Sequence, residues 1–183
     1  MLVALGVSMR SLRLALALAT ALVAALPAYA EDQPKDQMVV LKADQIGQIF
    51  CMSRQGNDDA VIEGILTDGL TKAIADANGK NDQYVKKYPD EAPPLENGIP
   101  WQSSPDYATT CTTGLVTLSK TDAKVEIKYH FDDYPAGDYV DTLILKKIPI
   151  EGMDVGYWRI DDVVYPDGTD MKADMIDAFN FSW

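Results

Sequence analysis

The chain has 183 residues, 47% of them hydrophobic, with 16 Lys or Arg against 28 Asp or Glu and a formal net charge of −12 at pH 7. An acidic surface of this kind repels nucleic acid and anionic lipid, which excludes binders of phosphate backbones. One histidine and two cysteines are too few for a metal centre of ordinary His/Cys spacing.

The first thirty residues read as a secretory signal. Arg10 and Arg13 give a basic start, Leu14 to Leu26 is an apolar run of Leu and Ala, and Ala28-Tyr29-Ala30 has the small-x-small pattern that signal peptidase needs. The run of about 13 residues is shorter than the roughly 20 that span a bilayer. Cleavage is expected after Ala30, leaving residues 31–183 as one exported domain. Removing Arg10 and Arg13 leaves 14 cations against the same 28 acids, a mature charge of −14. Export places the domain in an oxidising compartment, the periplasm or the medium, where Cys51 and Cys111 are expected to bond. No later stretch is apolar enough to span a membrane.

In the mature region, Ile46, Ile49, Phe50 and Met52 recur at near-helical spacing, which predicts a helix from about Ala43 to Ser53. Asn57 is an expected N-cap for a second helix carrying Val61, Ile62, Ile65 and Leu66. Thr67 is the expected cap of a third, through Leu70, Ile74 and Ala75, ending near Asn78-Gly79, with a further turn or two over Asn81 to Lys87. From Tyr88 to Thr110 five prolines break helix and central strand alike. A loop of that length in a compact domain is often functional. It carries Trp101 and Tyr107.

The second half is strand-like. Gly114 to Lys120 and Lys124 to Phe131 form a hairpin about Thr121-Asp122, with Val125, Ile127, Tyr129 and Phe131 on one face and His130 on the other. Tyr139 to Ile148 and Gly156 to Tyr165 come next as third and fourth strands. Thr169 is an expected cap for a closing helix with Met171, Met175, Ile176 and Phe179. Helices followed by an antiparallel meander predict an α+β fold, with the helices on one face of a curved sheet of about four strands.

The stretch Trp158-Arg159-Ile160-Asp161-Asp162-Val163-Val164-Tyr165-Pro166-Asp167-Gly168, followed by a short helix, resembles the end of the domain-of-unknown-function 3828 family of small exported bacterial proteins. Asn97 to Tyr107 is similar to that family's polar loop ahead of its sheet. The resemblance extends over Ala43 to Phe179, and it departs in the first helix, where the family tends to carry aromatics and this chain has Phe50 alone. It implies a cone-shaped, cystatin-like fold similar to nuclear transport factor and ketosteroid isomerase proteins. It implies no activity, because that fold hosts enzymes, binding modules and scaffolds alike.

Few residues offer chemistry. Asp162 shares strand parity with Trp158 and Ile160, and with Tyr129 it would provide a base and a hydroxyl in a cone pocket, as in ketosteroid isomerase. The competing reading has Asp161 and Asp162 satisfying backbone donors at a bulge or strand end. Asp132, Asp133, Asp138 and Asp141 cluster about a turn but lack the spacing of a calcium loop, and read as a solvated acidic turn. No catalytic triad, phosphate loop or cofactor motif is present. Trp101, Tyr107, Tyr129, Trp158 and Asp162 are the candidate binding residues. The leading expectation is a non-enzymatic periplasmic binding protein that meets a basic envelope protein in an inhibitor or immunity role. An exposed Trp101 would contribute to capture without contributing to stability. Two alternatives stay open, a small apolar ligand carrier or isomerase-like enzyme, and a structural accessory.

Overall fold

A computed structural model describes residues 40–180. The expected signal segment, its cleavage point and Trp183 lie outside the described residues. The fold is α+β: helices α1 (Ala43–Gly56), α2 (Ala60–Glu63) and α3 (Asp68–Lys87), then strands β1 (Thr110–Leu118), β2 (Asp122–His130), β3 (Tyr139–Pro149) and β4 (Gly156–Val164), and a last helix α4 (Met171–Asp177). The strands form one antiparallel sheet in the order β1-β2-β3-β4. Among the described residues no helix is long and apolar enough to cross a membrane.

Helix α1 is built on a clean apolar stripe. Ala43, Ile46, Gly47, Phe50 and Cys51 lie at helical spacing, and all are buried against β1, β2 and β4. Gly47 sets the approach: a Cβ there would meet Thr113 Cγ2 at 2.6 Å and Val125 Cγ1 at 2.9 Å. Cys51 and Cys111 are bonded across this contact and join α1 to β1. The opposing sheet face carries Val125, Ile127 and Tyr129 from β2, Leu143 and Leu145 from β3, and Ile160 and Val163 from β4.

Several boundaries differ from the sequence reading; β1, for one, starts at Thr110 rather than Gly114. Asn57 ends α1 rather than starting α2; it sits in the left-handed region at φ 47°, which asparagine tolerates. Asp59 occupies the N-cap position of α2, which is a single turn, and Ile65 to Thr67 then run beside β4 through Thr67 N–H to Ile160 O and Ile160 N–H to Ile65 O. Helix α3 does not stop at Asn78-Gly79. The space beside Gly79 is open, so the glycine costs only propensity, about 1 kcal/mol, which twenty residues of helix absorb. The Thr67 cap holds as expected, accepting from Leu70 N–H at 3.1 Å. Helix α4 is capped by Asp170, which accepts from Ala173 N–H at 2.8 Å, while Thr169 donates to Asp167 in the preceding turn.

A bulge in β4 resets the side-chain parity along the strand. Ile144 pairs with Asp162 and Leu145 with Ile160, so Asp161 is the extra residue. Ile160 and Val163, three apart, therefore both reach the core, and Asp162 does not share a face with Ile160.

Candidate functional site: a carboxylate-rimmed groove beneath the proline-rich loop

Several hydrogen bonds hold the loop over residues 88–109 to the rest of the fold, and four of them shape its middle. Leu95 N–H donates to Asn81 Oδ1 of α3 at 3.0 Å. The Pro100 carbonyl accepts from the Tyr165 hydroxyl. The Trp101 indole Nε1–H donates to Asp59 Oδ2 at 2.9 Å, and Ser103 N–H donates to Asp141 Oδ2 at 3.1 Å. Prolines suit this course, because a chain without free backbone donors settles into an extended path over a surface.

Between this loop, the end of α1 and the β4–α4 turn lies a half-open groove of about 1020 Å³. Its aromatic lining is Trp101, Tyr107, Tyr139 and Tyr165. Four carboxylates line it, Asp59, Glu96, Asp167 and Asp174, against one cation, Arg54. Arg54 is already committed: its guanidinium pairs with Asp59, donates to Ser53 Oγ at 2.8 Å, and stacks 5.3 Å from the Trp101 ring. Asp174 feels the remaining charge. Its carboxyl is pushed above the usual range by desolvation and by Asp167, Asp170 and Asp177 around it.

Beneath Ser103 of this loop lies a feature absent from the sequence reading. Asp141 lies on the core face of β3, in alternation with Leu143 and Leu145, and is 0% exposed. It is not part of a solvated acidic turn. Tyr129 and Tyr139, register partners on β2 and β3, stack beside it with ring centroids 4.5 Å apart. Burial pushes the Asp141 carboxyl up to about 6, with the Ser103 hydrogen bonds opposing. Tyr129 and Tyr139 are pushed far above the usual phenol range by burial and by the Asp141 charge, so both are neutral hydroxyls. Among the described residues four buried side-chain polar atoms lack a hydrogen-bond partner: Asp141 Oδ1, Tyr129 OH, Tyr139 OH and Arg54 Nε. Native interiors leave few such atoms; at Tyr139 the Ser104 backbone also bears on the hydroxyl and opposes the rise.

The candidate residues from the sequence fall in different places. Trp101 lines the groove but is only 4% exposed, edge-to-face on Phe50 at 6.2 Å, so its indole is core rather than a presented anchor. Tyr107 is the exposed aromatic of the loop, at 66%. Tyr129 is buried in the core beside Asp141 and does not line the groove. Trp158 is half-buried against the core, with Lys147 Nζ 5.9 Å from its ring, and does not line the groove. Asp162 is also away from it. Its Oδ1 accepts from Val163 N–H and from Lys172 N–H at the start of α4, and desolvation raises its carboxyl. Its neighbour Asp161 accepts from Thr67 Oγ1 at 2.8 Å and pairs with Lys146 and Lys172, tying β4 to both flanking helices. His130 stands on the polar face of β2, between Asp138 and Asp132.

Comparison of the chain with family models, with curated proteins and with solved structures gives no match.

Proposed function

We propose that this chain is a non-enzymatic binding protein of a bacterial cell envelope, exported by a signal cleaved after Ala30, and that its groove receives a basic partner. The family resemblance to domain-of-unknown-function 3828 proteins, and the cone-like shape it implies, belong to the same proposal. One observation carries the reading. The groove beneath the proline-rich loop is walled by Glu96, Asp167 and Asp174 with no cation among its lining residues except Arg54, which Asp59 already pairs. Like charges held together on a concave wall raise the local potential and steer an oppositely charged protein toward it. The disulfide suits an oxidising compartment. An inhibitor or immunity role fits a site that binds a basic surface without a catalytic constellation of its own.

The carrier or isomerase-like reading draws less support, because Trp158 and Asp162 lie apart from the groove. Native mass spectrometry of mature protein recovered gently from its own periplasm tests the leading reading. A second, basic protein is expected in the complex, and Tyr107→Ala should release it. A partner held equally well by the Tyr107→Ala variant would place binding elsewhere; a small adduct in place of a protein would favour the carrier.

A further inference from the structure

Another half-open cavity, of about 320 Å³, lies between α3 and Phe179, which follows α4, and it shares no lining residue with the groove. Lys80, Gln83, Tyr84, Lys87 and Tyr88 form its helical wall. Their spacing of i, i+3, i+4, i+7 and i+8 places all five on one stripe of α3 and its C-cap. The stripe is not a plain apolar one, because it combines aromatic rings with ammonium groups. Lys80 Nζ lies 5.7 Å from the centroid of the Phe179 ring, and Lys87 Nζ lies 5.0 Å from that of Tyr88, so both charges are held against the rings. The Tyr84 and Tyr88 rings are themselves 5.0 Å apart. Among the described residues no carboxylate pairs with Lys80 or Lys87. Three carboxylates of the flanking turns are engaged elsewhere: Asp76 with Lys72, Glu91 with the Tyr84 hydroxyl and Asp177 with the Asn180 amide.

We propose that this cavity binds a small organic anion, a carboxylate carried on a flat aromatic body of about two rings. The size follows from the volume: a cavity of about 150 Å³ holds one benzene ring, and this one is roughly twice that. Tyr84, Tyr88 and Phe179 supply ring faces and edges, and a flat aromatic body meets them by stacking. The two lysines supply the charge preference. Lysine is a point charge on a flexible stem and does not demand the planar fork that arginine matches, so it accepts a carboxylate over a range of angles. The helix end opposes an anion, since the C-terminus of a helix carries about half a negative charge, but Lys86 and Lys87 in the last turn exceed it. The acidic remainder of the surface acts mainly at long range, where salt screens it beyond roughly 8 Å. The site is independent of the binding reading above, because it uses none of the groove's residues.

The probe is 2-naphthoate, added to mature protein with its disulfide intact and followed by NMR. Expected are saturable shifts of the Gln83 side-chain amide and the Phe179 ring, with intermolecular NOEs from the naphthalene protons to Phe179. The neutral isostere 2-naphthamide should bind more weakly by about fivefold or more. Acetate, which has the charge without the rings, should not compete. Lys80→Met and Lys87→Met keep the aliphatic stems and remove the charges. Both lysines are exposed, so each variant is expected to fold, and its thermal melt checks this. Each should weaken naphthoate about fivefold, the upper range for an exposed ion pair, and leave naphthamide nearly unchanged. Equal affinity for naphthoate and naphthamide, or no saturable shift at Gln83 and Phe179, overturns the site. Shifts at Tyr107 alone would put the ligand in the acidic groove and overturn it as well. A protein partner captured through Tyr107 bears only on the binding reading, and naphthoate binding bears only on this one.

Discussion

The indole Nε1–H of Trp101 donates to Asp59 Oδ2 at 2.9 Å across 42 residues of sequence, and this bond locks the proline-rich loop to the turn between α1 and α2. The ring above it is packed between Phe50 and the Arg54 guanidinium. Trp101 thus belongs to the core as well as to the groove wall. Trp101→Ala is expected to cost about 3–5 kcal/mol, the range for emptying a buried tryptophan site. Trp101→Phe, which keeps a ring but leaves Asp59 Oδ2 short of a donor, should cost less, and more than zero. Urea unfolding of the three proteins measures both. A stability-neutral Trp101→Ala would show that the ring is not packed as described.

Asp141 gives the protein a characteristic pH dependence. Its folded carboxyl, pushed to about 6, lies above the ordinary 3.8. The folded state therefore holds a proton that the unfolded state has lost between those values, and stability falls as pH rises through that window. The penalty is full above about pH 7, on the order of 3 kcal/mol by the linkage relation. Asp141→Asn should remove it, leaving a protein more stable at pH 7.5 and nearly unchanged at pH 4. Asp162 and Asp174 also have raised carboxyls, so the comparison between the two proteins at each pH is what isolates Asp141.

The disulfide closes the largest constraint in the chain. Cys51 and Cys111 are 60 residues apart, and cross-linking a loop of that length is worth about 4 kcal/mol in the chain-entropy treatment. Cys51→Ala/Cys111→Ala should lower the urea midpoint accordingly and leave the m-value larger, because the unfolded chain without the cross-link exposes more surface. Equal midpoints with and without the bond would mean that the α1–β1 contact alone supplies the stability.

His130 is a second titrating group, on the outer face. Its hydrogen bond to Asp138 at 2.7 Å raises its pKa, against an opposing desolvation, with Asp132 contributing less. The protonated pair favours the folded state below pH 6.5, and that contribution disappears as pH rises through the elevated value. The imidazole C–H resonances should titrate above 6.5 and move back toward it in Asp138→Asn.

Much of this fold is legible in the sequence. The α1 stripe, the Thr67 cap, the β2 alternation and the pairing of the two cysteines come from period, capping chemistry and count. The failures are local. Asn57 and Thr169 are residues that serve more than one position around a helix end, and only the backbone conformation decides which. Strand parity misplaces Asp162 because it runs through a bulge at Asp161 that has no local signature. Asp141 does carry a signal: Tyr139, Asp141, Leu143 and Leu145 alternate on one face. Its nearness in sequence to Asp132, Asp133 and Asp138 masks that alternation and assigns it to the acidic turn. Trp101 sits in a loop of low apolar content, and nothing in that composition announces that Phe50 and Arg54, on a helix far earlier in the chain, enclose its ring.

The central claim is that the carboxylate-rimmed groove is where this protein meets a basic partner. A photo-crosslinking phenylalanine analogue placed at Tyr107 tests it most directly, with the same analogue at Tyr134 as a control that is 65% exposed and outside the groove. Irradiation in the cells that make the protein should give one discrete protein adduct from position 107, weakened by added salt and absent from position 134. Equal adducts from both positions, or none from 107, would contradict the claim.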